Sequence, residues 1–517
     1  MAFSKTYSAQ TTLLEAEIID IEADVGNGLY SFSVVGLPDK AVEESRDRVS
    51  AAIKHSGFKA PKNKNQKVVV SLAPANLRKE GPLFDLGIAL AYLLACDEIA
   101  FDPRKKIFLG ELSLDGSLRK ISGTLALARE ASRRGFAEVF VPLENAREAA
   151  LIRNITVYGV RNLKEAIDHL DQKGNPGKEK LPRMTPTDPT PLVFAEPPQT
   201  IDFSDIRGNE TAKRGLEIAA SGRHNIALYG PPGTGKTLLA EALAHILPAL
   251  SPDEVLEATA IHSIAGSLSG DMLTHPPFRR PHHTSSYASL IGGGAVPKPG
   301  EVTLAHHGVL FLDEFPEFDR RVVNALRQPL EDRRISISRV RGSTVFPANF
   351  ILVAAMNPCP CGNYGIEGKK CSCNPTQIAR YKQKISGPII DRIDLWIEVS
   401  QINYSELAQP GKKAPSESEQ LRKKVRAARA IQASRFAQAN VAAKSNAEIR
   451  LQDLDLIAME PSASNLLRRS AEKLDLSARS YHRVMKVART IADLAGKEAV
   501  SCAEVLEALQ YRPKQAE

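Results

Sequence analysis

The most informative run in this sequence reads Gly230-Pro231-Pro232-Gly233-Thr234-Gly235-Lys236-Thr237. It fits the pattern G-x-x-x-x-G-K-[ST], in which glycines allow backbone N–H groups to curl around phosphate oxygens. An apolar run at 226–229 precedes it and a helical pattern at 238–243 follows it, so the loop opens a helix whose dipole favours anions. We therefore predict a phosphate-binding loop, with Lys236 reaching the β- and γ-phosphates of ATP and Thr237 binding Mg²⁺.

Two carboxylates further along the chain fit the same chemistry. Residues 309–312 are apolar and predict a buried strand, and Asp313 and Glu314 follow at its carboxyl end. Asp313 is expected to hold Mg²⁺, and Glu314 is expected to polarise the attacking water. An ordinary strand with an acidic end is the plainer interpretation, and it loses weight because a phosphate-binding loop lies upstream.

Length and charge limit the classes of protein to consider. The 517 residues predict two to four domains, and 43% hydrophobic residues are enough for a sizeable core. The formal net charge is +8, and residues 420–517 hold 18 Lys and Arg against 11 Asp and Glu. This basic excess suits a polyanion such as DNA, but it suits a solvated helix face equally well.

Targeting signals and a disulfide framework are not expected. No apolar run reaches the ~18 residues of a membrane span, and the first residues lack the basic-then-apolar pattern of a signal peptide. Four of the six cysteines are clustered rather than spread in pairs along the chain. We expect a cytoplasmic protein with no membrane partner.

The pattern of apolar and turn residues divides the chain into four parts. Residues 1–170 alternate predicted strands and helices, and residues 171–200 form a linker rich in proline. Residues 201–400 hold the phosphate-binding loop and a cysteine-rich insertion, and residues 401–517 have helical patterns throughout. The predicted fold class is α/β with a helical C-terminal domain.

The first part resembles the proteolytic domain of the Lon family, the S5-type fold. The likeness lies in the run 79–82 (Lys-Glu-Gly-Pro) before a buried helix, and in the run 110–116 (Gly-Glu-Leu-Ser-Leu-Asp-Gly). Lon-type proteases carry a serine directly after the Gly-Pro, where this chain has Leu83, and their catalytic lysine aligns near Leu125. A Ser–Lys dyad needs both a hydroxyl and an amine. The resemblance therefore implies a catalytically dead Lon-like domain that serves assembly or DNA contact.

Three further motifs resemble those of AAA+ ATPases. A predicted strand at 351–356 ends in Asn357, which the resemblance assigns to orienting water against the γ-phosphate (sensor 1). Arg392 beside a turn matches the arginine finger that reaches a neighbour's ATP. Its alternative is a surface salt bridge with Asp394. In the predicted C-terminal lid, Arg479 matches the sensor-2 arginine, and Arg483 competes with it for that role. The resemblance implies a hexameric ring.

Three runs near the acidic strand narrow the resemblance, at 277–286, 290–294 and 299–306. With the Lon-like segment in front, they resemble the magnesium-chelatase-like AAA+ proteins of the ComM/YifB branch over nearly the whole chain. This likeness implies an ATP-driven motor on DNA that migrates branches of recombination intermediates during natural transformation. A chelatase-type motor that inserts a metal into a porphyrin and an ATP-dependent protein remodeller are the alternatives. The adjacent His282 and His283 favour a loop contact or a core role over metal binding.

Residues 335–346 alternate with period two around a glycine and predict a β-hairpin before the strand that ends in Asn357. Related ring motors point such a hairpin into the pore. Arg339 and Arg341 would then meet DNA phosphates without reading bases. An exposed basic hairpin with no ligand is the equally weighted alternative.

A second candidate site contains four cysteines. Cys359, Cys361, Cys371 and Cys373 form two C-x-C pairs separated by nine residues. Four thiolates in a cytoplasmic chain fit a tetrahedral zinc site, and Lys369 and Lys370 would offset its charge. An iron–sulfur cluster or reduced thiols are the alternatives. A closed site of this kind staples a loop and has no open position for catalysis.

Overall fold

A computed structural model describes residues 2–12, 14–173, 182–192, 201–293, 298–339, 342–365, 369–385, 387–401 and 416–513. The chain forms two compact units. The first contains residues 1–193 and 252–273, and the second contains residues 194–251 and 274–517. Much of the predicted proline-rich linker lies outside the described residues.

The first unit has a four-stranded sheet in the order β1-β2-β4-β3 and a three-stranded parallel sheet in the order β5-β8-β9. Its strands are β1 (Ala2–Thr12), β2 (Glu15–Asn27), β3 (Ser31–Val35), β4 (Gln66–Ala73), β5 (Lys106–Phe108), β6 (Glu111–Leu112), β7 (Leu118–Arg119), β8 (Glu138–Pro142) and β9 (Thr156–Val160). Its first six helices are α1 (Lys40–Glu43), α2 (Ser45–His55), α3 (Asp85–Ala95), α4 (Thr124–Arg133), α5 (Ala146–Ala149) and α6 (Leu163–Leu170). The run 110–116 noted above contains β6 and the turn that joins it to β7, and these two strands pair antiparallel.

The long hairpin of β1 and β2 was not apparent in the sequence. Its strands pair antiparallel from Ala2 opposite Val25 to Thr12 opposite Glu15. The inward face of β1 is polar, because the hydroxyl of Ser4 donates to the Ala91 carbonyl at 2.6 Å and that of Thr6 to the Gly87 carbonyl at 3.1 Å. These hydroxyls satisfy their hydrogen bonds on the buried helix α3, so the strand lacks the apolar alternation that predicts a half-buried strand.

The two positions that the Lon resemblance aligns with a catalytic dyad hold apolar side chains. Leu83 packs against the cores of the first unit, and Leu125 is buried in α4. Lys79, four residues before Leu83, is fully buried and donates to the Pro74 carbonyl. Burial lowers the pKa of Lys79. The ammonium group is therefore already held by the backbone.

The second unit contains a fully parallel five-stranded sheet in the order β11-β14-β17-β10-β18. Its strands are β10 (Ile226–Tyr229), β11 (Phe278–Arg279), β12 (Gly292–Gly293), β13 (Lys298–Pro299), β14 (Val309–Leu312), β15 (Arg334–Arg339), β16 (Gly342–Pro347), β17 (Ile351–Met356) and β18 (Leu395–Glu398). Since parallel strands end at one edge of a sheet, the residues that follow β10, β14 and β17 come together there. The predicted hairpin is confirmed as β15 paired antiparallel with β16.

Helices follow the strands of the second unit and fill its C-terminal part. From α7 onward the helices are α7 (Glu210–Gly222), α8 (Lys236–Ile246), α9 (Pro252–Ala265), α10 (Tyr287–Ile291), α11 (Glu301–Leu304), α12 (Arg320–Ala325), α13 (Arg327–Asp332), α14 (Pro375–Gln383), α15 (Gly387–Ile390), α16 (Glu417–Gln438), α17 (Pro461–Lys473), α18 (Ala478–Leu494) and α19 (Cys502–Gln510). The helical pattern predicted for residues 401–517 is confirmed by α16 to α19 among the described residues. They share a core with α7, α8 and the sheet.

Helix α9 belongs to the first unit although it follows α8 in the chain. Its Ser263 hydroxyl donates to Glu148 at 2.5 Å and accepts from the Gly123 N–H at 2.9 Å. Burial raises the pKa of Glu148. This placement was not apparent in the sequence, because Ser263 and its hydrogen-bond partner Glu148 lie 115 positions apart.

Candidate nucleotide-binding site

The loop between β10 and α8 has the backbone conformation that its glycines allow. Gly233 and Gly235 have φ values of 78° and 85°, in the left-handed region that favours glycine. A Cβ atom at Gly230 would lie 2.1 Å from the carbonyl oxygen of Val399, which leaves no room for another residue. The Thr234 hydroxyl donates to the Pro231 carbonyl at 3.0 Å and braces the turn. The loop therefore wraps tightly before the helix begins at Lys236.

The side chains that follow the three strands meet at this loop. Lys236 Nζ donates to the carbonyls of Gly230 and Pro231 at 2.8 and 2.7 Å and to Asn357 Oδ1 at 3.2 Å. The Thr237 hydroxyl lies 3.2 Å from Asp313 Oδ2. Burial lowers the pKa of Lys236, and the nearby Asp313 acts in the opposite direction. A lysine, a hydroxyl, a carboxylate and an amide thus converge on one edge of the sheet.

The two acidic residues after β14 have partners that sequence reasoning missed. Arg280 Nη2 donates to Asp313 Oδ2 at 3.0 Å, and its Nη1 lies 3.3 Å from Glu241. His283 Nδ1 lies 3.1 Å from Glu314 Oε2. The sequence patterns predicted no role for Arg280, and for His283 they predicted only a loop contact or a core role. These contacts follow from strand register. Strand β11 pairs parallel with β14, and continuing that pairing beyond the strand ends places residues 280–283 beside 311–314.

Glu314 itself is exposed at the mouth of the site. Its backbone is left-handed, with φ of 51°, and 54% of its side chain is exposed. A carboxylate in this position can accept a proton from water that approaches the loop.

The two arginines assigned to finger and sensor roles lie at the opposite edge of the sheet. The Asn225 amide, just before β10, donates to the Arg392 carbonyl at 3.1 Å. Because β10 has four residues and strands rise about 3.3 Å per residue, the two edges are roughly 13 Å apart. Arg392 is 7% exposed and pairs with Glu331. Arg479 donates to the other oxygen of Glu331 at 3.0 Å and is 55% exposed.

The salt-bridge alternative predicted that Asp394 pairs with Arg392, but the two side chains do not pair. Asp394 pairs instead with Arg483 and lies 3.6 Å from His224. Burial alone would raise the pKa of Asp394, but Arg483 and His224 outweigh it and hold the pKa below its ordinary value. Arg483 is thereby held in an internal ion pair, whereas Arg479 is largely exposed.

These arginines border a cavity of about 460 Å³ with a strongly cationic lining. Burial lowers the pKa of Lys486 to about 8. A cavity of this size and charge can accept an anion such as a phosphate group. Its cationic residues are Arg223, Arg333, Arg392, Arg479, Arg483 and Lys486.

The four clustered cysteines fit a tetrahedral metal ion. Their sulfur atoms all lie within 4.8 Å of one another. Sulfurs at about 2.3 Å from a tetrahedral zinc are about 3.8 Å apart. Cys359 Sγ lies 3.4 Å from that of Cys361 and 3.8 Å from that of Cys371. Backbone N–H groups of Asn363 and Ser372 lower the pKa of Cys361 to about 5, whereas the pKa values of Cys371 and Cys373 are raised, with hydrogen bonds to Cys361 among the causes.

Of the two arginines assigned to DNA, the structure describes the backbone of one. Arg339 is the last residue of β15, and nothing is described of its side chain. Arg341 lies outside the described residues. In the part of the chain that the structure describes, no helix has both the length and the apolar character to cross a bilayer.

A parallel sheet with a phosphate-binding loop, a Thr–Asp pair and an amide at one edge defines a P-loop nucleotide-binding protein of the AAA+ type. The comparisons with known proteins agree and go further. Family models described as magnesium chelatase, subunit ChlI, as subunit ChlI of Mg-chelatase and as its C-terminal region match residues 202–407, 21–145 and 415–512. The chain belongs to the magnesium-chelatase-like ComM/YifB family.

Individual relatives support this assignment. The chain is 41% identical to competence protein ComM of Haemophilus influenzae, over 99% of this chain and 98% of that protein. It is 40% identical to the uncharacterized protein YifB of Salmonella typhimurium, over 96% and 95% of the two chains. It is also similar to Lon protease 2 of Bacillus subtilis, at 31% identity over 34% of this chain and 32% of that protein. Membership of the AAA+ type implies ATP and Mg²⁺ as ligands.

Proposed function

We propose that this protein is an ATP-driven ring motor that translocates on DNA and migrates the branches of recombination intermediates during natural transformation. The convergence of Lys236, Thr237, Asp313 and Asn357 on one loop carries the ATPase part. The chain is 41% identical over nearly its full length to a protein named competence protein ComM, and this supports a role in natural transformation.

The residues of the site suit hydrolysis of ATP. Mg²⁺ would be held by Thr237 and Asp313, where it neutralises phosphate charge. Lys236 presently donates to loop carbonyls and Asn357, and phosphate oxygens are stronger acceptors for the same ammonium group. Glu314 takes the proton from the attacking water, and Asn357 orients that water. His283 holds Glu314 in a defined position before substrate arrives.

The two arginines that pair with Glu331 support a ring. They border the sheet edge opposite the phosphate-binding loop, too far away to serve the ATP of their own subunit. A head-to-tail arrangement brings that edge to a neighbour's loop, and a closed ring is the outcome when the rotation closes. We propose a homo-hexamer in which Arg392 and Arg479 complete the neighbour's site.

DNA is proposed as the track on electrostatic grounds. Arg339 ends β15, Arg341 follows it by two residues in the sequence, and the chain has a basic excess in residues 420–517. Such contacts give affinity without sequence preference. Helices α16 to α19 are proposed as the lid, and residues 1–170 as a catalytically dead Lon-like domain that serves assembly or DNA contact.

Zinc is proposed on Cys359, Cys361, Cys371 and Cys373, whose sulfur spacing suits a ZnS₄ site. A chelatase-type motor is the second candidate function, because the matching family models are those of a magnesium-chelatase subunit. The likeness to the magnesium-chelatase 67 kDa subunit of Chlorobaculum parvum, however, covers only 31% of this chain.

The proposal is tested with a labelled four-way DNA junction. The wild-type protein should convert the junction to duplex products when ATP and Mg²⁺ are present and leave it intact without ATP. The double variant Arg339→Ala/Arg341→Ala should bind DNA less tightly with its DNA-independent ATPase rate unchanged. Its salt dependence of binding should fall by about two phosphate contacts per chain. Lys384→Ala is the matched control, because Lys384 is an exposed lysine outside the hairpin and outside residues 420–517 that is already paired with Glu317 at 2.7 Å.

A further inference from the structure

The cysteine cluster is physically joined to the nucleotide site. Cys359 follows Asn357 by two residues, and Gly362, the first residue between the two cysteine pairs, lies beside the phosphate-binding loop. The backbone of Gly362 lies so close to Pro232 that a Cβ atom at Gly362 would come within 2.5 Å of the proline Cδ. Gly362, next to the first cysteine pair, therefore packs directly against the phosphate-binding loop.

The far side of the cluster is joined to the same site. Helix α14 begins directly after Cys373, with a capping box between Asn374 and Gln377. Burial raises the pKa of its buried Tyr381 hydroxyl to about 12, and the neighbouring backbone of Asn357 acts in the opposite direction, so the two groups lie close together. Asn357 in turn accepts from Lys236 at 3.2 Å. Both flanks of the cluster thus hold groups that bear on the phosphates.

We propose that a zinc ion bound by the four thiolates positions the phosphate-binding loop and Asn357, so that affinity for ATP depends on whether zinc is bound. The inference rests on the proposed function, which supplies the ATP site and the metal site. It adds a dependence between the two.

The physical basis is the constraint that a metal imposes on its ligands. A zinc ion would hold the four sulfurs, which lie within 4.8 Å of one another, by its bonds to them, and without it the thiols would lose that restraint. Gly362 lies between two of the ligands and would then no longer support Pro232. The same loosening reaches Asn357, because it is two residues from Cys359. Zinc here acts on nucleotide binding through packing and takes no part in the chemistry.

The test uses the full-length protein and measures binding, not turnover. Zinc content is determined by metal analysis. The Kd for a fluorescent, slowly hydrolysed ATP analogue is measured with Mg²⁺ before zinc removal, after a zinc-selective chelator, and after zinc is returned. We expect removal to weaken binding about tenfold, the size of one lost hydrogen bond to a charged group, and zinc addition to restore it.

Three variants separate the metal from the contact. Cys371→Ser should lose zinc and bind the analogue more weakly. Gly362→Ala keeps all four ligands and should retain zinc, yet bind the analogue more weakly because its Cβ pushes on Pro232. Cys502→Ser, which removes a partly buried thiol in α19, should change neither quantity. Melting temperatures of all variants identify any that fail to fold, and reversible zinc removal from the wild type needs no variant.

Different outcomes distinguish a failure of this inference from a failure of the proposed function. If zinc-free protein binds the analogue as tightly as zinc-loaded protein, the inference is overturned, and protein purified without zinc that binds tightly overturns it as well. If Lys236→Ala binds the analogue as well as the wild type, the nucleotide site itself is wrongly assigned and the proposed function fails first.

Discussion

Replacing Arg392 by alanine distinguishes an arginine that acts across a subunit interface from one that only holds the fold. The variant keeps every residue of its own phosphate-binding loop, so we expect ATP binding to persist. Hydrolysis should fall by about 10³- to 10⁵-fold if the guanidinium stabilises charge on a neighbour's transferring phosphoryl group. The matched variant Lys236→Ala has the opposite defect, since it loses its own phosphate contact but retains Arg392.

Mixing the two inactive proteins gives a quantitative expectation. An active site needs an intact Lys236 in one subunit and an intact Arg392 in the next. When equal amounts assemble at random in a head-to-tail ring, about one quarter of the interfaces meet this condition. The mixture should therefore recover up to about a quarter of the wild-type ATPase rate when subunits exchange, as measured by phosphate release.

The structure adds a folding control to this experiment. Arg392 is 7% exposed and pairs with Glu331, whose side chain is 47% exposed, so the loss of stability should stay below the about 3–5 kcal/mol that breaking a fully buried pair costs. Arg479 still donates to Glu331 at 3.0 Å, so the carboxylate is not left alone and the loss should be smaller. Thermal melting of Arg392→Ala checks this. Mixed rings that form, as judged by differently tagged chains, and still hydrolyse no ATP would refute the assignment of Arg392.

Three other perturbations test separate parts of the account. Glu314→Gln should bind ATP, hydrolyse it very slowly and remain trapped on DNA, and normal turnover would mean that the base is misassigned. The wild type should not degrade unfolded protein, because Leu83 and Leu125 occupy the dyad positions; cleavage that is lost on mutating a Ser or Lys in residues 1–170 would contradict this. Burial lowers the pKa of Lys486 to about 8 from 10.5. Between these values the unfolded chain binds a proton that the folded chain does not, so stability rises with pH. The melting temperature of the wild type should therefore rise between pH 8 and 10 relative to Lys486→Gln, and parallel curves would disprove the shift.

Local patterns were enough to predict the core of the nucleotide site. The runs that end in Asp313 and Asn357 are apolar because parallel strands in this sheet are buried on both faces, and their polar ends follow directly in sequence. The helices of the C-terminal part were equally visible, because their apolar residues repeat with helical spacing.

Features that depend on register or on long-range contacts could not be predicted. Arg280 and His283 reach Asp313 and Glu314 only because β11 lies beside β14. The β1–β2 hairpin was hidden because its buried hydroxyls, such as that of Thr6, bond to helix carbonyls. The pairing of two arginines with Glu331 and the return of α9 to the first unit are long-range in the same way.

In the proposed function, ATP hydrolysis by this chain is coupled to DNA. The most direct measurement is the steady-state ATPase rate of the full-length protein with no DNA, with single-stranded DNA, with duplex DNA and with a four-way junction, alongside Lys236→Ala as the blank. DNA should stimulate the ATPase rate of the wild type and leave Lys236→Ala inactive. A wild-type rate that no form of DNA changes, but that unfolded protein or a porphyrin with its metal increases, would contradict this prediction.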